Sequence, residues 1–188
     1  VQGTVASSLI LVAMALAYAM LGTLDLEQMA HAIAQGGINN PLLLALGLFL
    51  CGFGLKAAMV PFHTWLPDAY PAAPAPVAAL LAGVATKTAG LYVLARLIFN
   101  VFSIDSVSVL LPLLRWAGLI SMLLGALLMI GQWEMKRLFS YSSISQIGYI
   151  LLAFGLGTPL GIVGALFHML NHSVIKSLLF LNAGTVEY

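Results

Sequence analysis

Val77-Ala-Ala-Leu-Leu-Ala-Gly-Val-Ala-Thr-Lys87-Thr-Ala-Gly-Leu-Tyr-Val-Leu-Ala-Arg96-Leu-Ile-Phe-Asn100 decides how the rest of this chain is read. About 20 mostly apolar residues make a helix long enough to cross the hydrocarbon core of a bilayer. Lys87 lies ten or more residues from either end of this run, about 15 Å along a helix. A lysine at that depth cannot easily extend its ammonium to the lipid headgroups. Ionisable groups inside membrane spans are costly and commonly mark ion pathways. The stretch therefore predicts both a spanning helix and a reason for its one central charge.

Composition extends that reading to the whole chain. Of 188 residues, 62% are hydrophobic and 7% charged. A water-soluble domain carries roughly a quarter of its residues as charges, so lipid is the main solvent here. This excludes a soluble hydrolase or oxidoreductase, and no dinucleotide-binding fingerprint is present. With seven Lys and Arg and a net charge of +1, nucleic acid is not a partner. The single cysteine, Cys51, can neither build a disulfide framework nor ligate an iron–sulfur cluster. No flavin or haem is expected, so no cofactor is assigned. Val1 to Ser8 has no basic segment or initiator Met, so no signal peptide is read, and a longer parent chain is expected.

Five further runs resemble the first. They are approximately Thr4–Leu21, Pro41–Leu66, Val107–Gly131, Leu138–Leu156 and Leu160–Gly184. None alternates with the short period of a barrel strand. The expected fold is all-α: one polytopic transmembrane bundle of about six spanning helices, forming a single domain over residues 1–188. Pro67, Pro71, Pro74 and Pro76 crowd a link between the second and third runs that is not expected to be regular helix. The Lys136/Arg137 loop is the most basic, which predicts that it and the N-terminus face the cytoplasm.

Lys56 is the second lysine inside a run. Pro61 lacks an N–H, which deprives the Ala57 carbonyl of its helical partner. Gly52 and Gly54 are expected to loosen the helix before it. The prediction is an interrupted helix around Lys56–Pro61, whose freed backbone dipoles can solvate an ion or water. The small residues Ala79, Ala82, Gly83 and Ala85 before Lys87 permit close helix approach, which turns that lysine toward the bundle. His168, His172 and Lys176 recur every four residues on one helix face. Each step rises about 6 Å, a gap that one or two waters bridge, and imidazole both accepts and donates protons near neutral pH. This ladder reads as a proton relay. No carboxylate or third histidine accompanies it, so no metal site is assigned. Ser142, Ser145, Gln146 and Tyr149 form a polar stripe suited either to bonding another helix or to lining a hydrated path. All six acids (Asp25, Glu27, Asp68, Asp105, Glu134, Glu187) fall outside the runs or at their ends. The buried lysines thus lack a carboxylate partner within the six spans.

Three long motifs then carry a resemblance. Lys56-Ala-Ala-Met-Val-Pro-Phe-His-Thr-Trp-Leu-Pro-Asp-Ala-Tyr70, followed by Ala75-Pro-Val-Ala-Ala-Leu80, is the first. Met135-Lys-Arg-Leu-Phe-Ser-Tyr-Ser-Ser-Ile-Ser-Gln-Ile-Gly-Tyr149 and Phe167-His-Met-Leu-Asn-His-Ser-Val-Ile-Lys-Ser-Leu-Leu-Phe180 are the others. Together they resemble the proton-conducting antiporter-like subunits of respiratory complex I, membrane-bound hydrogenases and Mrp-type sodium/proton antiporters. The resemblance implies that Lys56 is the central lysine of an interrupted helix and Lys87 the connecting group. It implies that His168, His172 and Lys176 form the polar axis toward a second half-channel. It further implies a bacterial or archaeal cytoplasmic membrane and other membrane subunits as partners. These subunits are longer than this chain, which resembles their middle portion, so the glutamate that pairs with the central lysine is expected before residue 1.

The function expected is proton translocation by a non-redox subunit of a redox-driven complex of the NADH:quinone oxidoreductase type or a related hydrogenase. A secondary Na⁺/H⁺ antiporter subunit would use the same lysines without electron transfer, with Na⁺ as a second transported ion. A purely structural spacer is disfavoured by the mid-membrane titratable groups.

Overall fold

In the computed structural model, residues 1–102 and 110–186 are described. Asp105, Val107 and Glu187 lie outside them. Among the described residues there are helices and no strands. Six are long and apolar enough to span a membrane: α1 (Gln2–Leu21), α3 (Asn40–Ala57), α5 (Ala75–Val101), α6 (Leu110–Ile130), α7 (Met135–Gly155) and α8 (Pro159–Val186). Two shorter helices, α2 (Leu26–Gly36) and α4 (Leu66–Ala72), lie between them. The protein is thus a polytopic helical membrane protein, as composition and run length predict.

The chain divides into two compact units. The first comprises Val1–Lys56 and the stretch from Ala89 onward through the end of α5. Ala6, Ile10, Ala13 and Ala17 form the buried face of α1 at helical spacing. Gly52 of α3 lies so close to it that an added Cβ would meet Ile10 Cγ1 at 2.6 Å and the Ala6 carbonyl at 3.0 Å. Gly52 therefore permits a close helix crossing, in place of the looseness expected from sequence. Asp25 caps α2, accepting from the backbone N–H groups of Glu27 and Gln28 at 3.0 Å each. Met29 and Ile33 are the buried residues of α2, which packs against Leu97–Val101.

At the Lys56–Pro61 break the structure corrects the expected boundary. The run expected to reach Leu66 stops as helix at Ala57. Ala58 adopts a left-handed conformation, φ 58°, and Pro61 has no N–H with which to continue the ladder. Lys56 accordingly sits in the last turn of α3, not deep within a longer helix. The proline-rich link, expected to be irregular, contains a helix of its own. Pro67 falls in the first turn of α4, where a missing N–H costs nothing.

The second unit holds Ala57–Thr88 and Val109–Tyr188. Its tightest pair is α6 against α7. Cβ atoms built at Gly118, Gly125 and Gly148 would strike the backbone of the facing helix, so only glycine fits at these crossings. A core of Ala58, Leu66, Tyr70, Ala78, Ala79, Ala82, Ile144 and Phe180 joins the break segment, α4, the start of α5, α7 and α8. Tyr70, Phe180 and Phe139 meet edge to face within it, with ring centroids 5.2 and 5.9 Å apart.

Candidate functional site: a buried lysine–histidine ladder

α5 is not a uniform α-helix. Over Leu81–Ala85, Lys87–Tyr92 and Leu97–Val101 it widens to turns of the i→i+5 type, a distortion frequent at functional sites. The first two wide turns flank Thr86, and side chains take up the carbonyls near them. Thr86 Oγ1 donates to the Leu81 carbonyl at 3.3 Å, and Lys87 Nζ donates to the Ala82 carbonyl. From α8, Ser173 Oγ donates to the Gly83 carbonyl and Ser177 Oγ to the Ala79 carbonyl, the latter at 3.3 Å. A Cβ at Gly83 would collide with Ser177, so glycine is what lets α8 approach closely enough for these bonds.

Lys87 is 2% exposed. Among the described residues its ammonium has neutral oxygens as partners: the Ala82 carbonyl and Thr86 Oγ1, the latter at 3.3 Å. Lys176 of α8, 1% exposed, donates to the Phe139 carbonyl at 2.9 Å and to Ser142 Oγ at 3.0 Å. It also stands 5.7 Å over the Phe139 ring. His172, one turn before Lys176, is 2% exposed, and neither ring nitrogen has a hydrogen-bond partner among the described residues. It lies within electrostatic reach of Lys87, Lys176 and His168. The His168 and His172 rings are parallel, 6.1 Å apart and inclined by 2°. Half-buried His168 donates from Nε2 to Gln146 Oε1 at 2.7 Å.

The structure therefore brings Lys87, His172, Lys176 and His168 together within the second unit. The polar stripe of α7 divides its work: Ser142 and Gln146 bond the ladder, while Ser145 donates to the Met122 carbonyl of α6 at 3.0 Å. Lys56 belongs to the first unit and is half-buried. Pro61 is exposed at the break, beside Val60, whose N–H donates to Ser121 Oγ of α6 at 3.0 Å. Residue order alone does not single out Ser121, Thr86, Ser173 or Ser177. The only signal for the last two is their position on the α8 face beside His172 and Lys176.

Chemically, the cluster offers two amines and two imidazoles with no carboxylate in any described span. Like charges this close repel, so the protonation of each group depends on that of its neighbours. Asp68 is occupied elsewhere, paired with Arg137 at 3.4 Å on the surface. Among the described residues no three His, Cys, Asp or Glu side chains converge to hold a metal ion.

Spanning helices with titratable groups buried between them define a class of polytopic membrane protein. The sequence matches, over residues 1–188, the family described as NADH:quinone oxidoreductase/Mrp antiporter, TM, and the chain belongs to that family. It is 37% identical over 187 residues to NADH-quinone oxidoreductase subunit N of Desulforudis audaxviator, covering 99% of this chain and 37% of that protein. It is 35% identical over 185 residues to a Na(+)/H(+) antiporter subunit of Alkalihalophilus pseudofirmus, covering 97% and 36%. A solved structure of the Mrp complex from Dietzia contains a similar chain, with a TM-score of 0.91 at 33% identity over 99% of this chain and 34% of that one. The chain spans about a third of the length of the relatives it matches.

Proposed function

We propose that this chain translocates protons across a bacterial or archaeal cytoplasmic membrane, as part of an antiporter-like subunit in a redox-driven complex of the NADH:quinone oxidoreductase type or a related hydrogenase. One observation carries the reading. Among the described residues His172 has both nitrogens buried and unbonded, and it sits within electrostatic reach of two buried lysines that have no acidic partner there. A buried polar group without a protein partner calls for water, and an imidazole with water on either side is a two-way proton carrier. Lys87 and Lys176 are then the proton-holding groups on either side of His172. His168 extends the ladder, and its Nε2 is tied to Gln146. Lys56, beside the helix break, is the entry-side group whose charge changes with the state of the rest of the complex. The subunit itself carries no electron-transfer step, and neighbouring membrane subunits supply the driving reaction.

The test is proton pumping by the parent complex in sealed vesicles with redox turnover followed in parallel, comparing wild type with Lys56→Ala and Lys87→Met. The reading requires both variants to lose pumping, and pumping that persists in either rejects it. A second reading is a secondary Na⁺/H⁺ antiporter subunit. The likeness to the Alkalihalophilus Na(+)/H(+) antiporter subunit favours it. Loss of Na⁺-dependent proton exchange in a system with no electron transfer selects that reading.

A further inference from the structure

Tyr70 is a buried titratable side chain of the second unit that the ladder leaves unused. It belongs to α4, the short helix after the break, and is 0% exposed. Its ring is fully accounted for by packing: edge to face with Trp65 at 6.2 Å and with Phe180 at 5.2 Å. Its hydroxyl is not, being buried with no closed hydrogen bond among the described residues. A phenylalanine would fill the same core, so packing alone does not explain the oxygen. The polar side chain beside that hydroxyl is Thr86, itself 4% exposed. Thr86 Oγ1 accepts from Lys87 Nζ at 3.3 Å, while its own proton is spent on a long bond to the Leu81 carbonyl, also 3.3 Å. A hydroxyl both accepts and donates, so a rotation of the Thr86 O–H from the carbonyl to Tyr70 completes a line from Lys87 to α4.

We propose that Thr86 and Tyr70 form a hydroxyl branch through which Lys87 exchanges protons on the α4 side, separate from the His172 ladder. In the discharging direction, Lys87 Nζ–H gives its proton to Thr86 Oγ1. The Thr86 hydroxyl proton passes to the Tyr70 oxygen, and the Tyr70 proton leaves to water. Lys87 ends as a neutral amine, both hydroxyls end neutral, and one proton has moved. Charging runs the same steps in reverse. The branch rests on the proton-translocating reading above, and it adds a route on the α4 side of Lys87.

The experiment uses the full-length subunit in its parent complex, in vesicles with a pH-sensitive dye. Tyr70→Phe keeps the ring and removes the oxygen. The expected result is a several-fold slower proton flux at unchanged complex level, with an altered H₂O/D₂O rate ratio. Thr86→Val should give the same loss, Thr86→Ser should restore flux, and the Tyr70→Phe/Thr86→Val double variant should be no slower than either single. Wild-type flux in both Tyr70→Phe and Thr86→Val, or losses in the two that multiply, overturns the branch. If Tyr70→Phe lowers the amount of assembled complex, the Thr86→Val and Thr86→Ser pair decides alone. Lys87→Met run alongside separates the two levels. Flux lost there but intact in Tyr70→Phe and Thr86→Val rejects only the branch, whereas flux intact in Lys87→Met rejects the proton-translocating reading itself.

Discussion

Two helix contacts within the second unit use small residues to opposite ends. Where α6 meets α7, glycines bring backbone against backbone. Gly118 faces Leu152, Gly125 faces Ser145, and Gly148 faces Met122. Where α5 meets α8, the small residues admit hydroxyls, and Ser173 and Ser177 reach carbonyls of a helix whose turns have widened. The first contact joins two regular α-helices by backbone approach, with Ser145 donating to the Met122 carbonyl across it. The second tolerates a distorted helix because its carbonyls gain side-chain partners, and it is there that Lys87 and His172 are buried. Close packing makes the frame, and polar packing makes room for charge.

That contrast can be broken by substitution, and the largest effect should fall on the polar side. Lys87→Met should lower proton flux by about 100-fold or more, the scale of losing a proton-transfer group, with the complex still assembled. Unchanged flux would remove the ladder from function. Gly148→Leu should act on the frame instead. Overpacking costs typically about 1–3 kcal/mol, and a backbone collision exceeds what a side chain can yield, so the measured outcome should be lost assembly or a lower melting temperature. His172→Phe separates the two roles most cleanly. Flux should collapse while thermal stability holds or rises, because a buried imidazole with no protein partner among the described residues gives way to an apolar ring. Ser173→Ala should cost about 0.6 kcal/mol, the mean for hydrogen bonds between membrane helices, detectable as a small shift in melting temperature. Smallest of all, Asp68→Ala, which breaks the exposed pair with Arg137, should change stability by less than about 1 kcal/mol. A larger loss would mean that α4 depends on this surface pair more than on its apolar core.

Much of this architecture is legible in residue order, and the exceptions share a cause. Run length and the scarcity of charge mark the six spans, since a bilayer demands a fixed length of apolar helix. The four-residue spacing puts His168, His172 and Lys176 on one face of α8, and Pro61 announces the break. The near edge of the break is not legible, because Leu66 continues the apolar run while Ala58, two residues after Lys56, turns the chain left-handed. Apolar content records solvent, not backbone angle. Gly52 is ambiguous for a similar reason: a glycine in a helix marks either a weak point or a close neighbour, and only Ile10 and the Ala6 carbonyl tell which.

What the sequence determined by itself is what lipid and local geometry dictate: a helical membrane protein, its spans, the interruption at Lys56–Pro61 and the register of the ladder. Tertiary structure alone decided which charges share an environment. Lys56 and Lys87 look alike as lysines within apolar runs, yet one ends a helix in the first unit and the other is sealed beside His172 in the second. The wide turns of α5 and the approach of Tyr70 to Thr86 were settled at the same level. A widened turn has no signature in residue order, because the carbonyls it rearranges are stabilised by hydroxyls from α8, some 90 residues further along the chain.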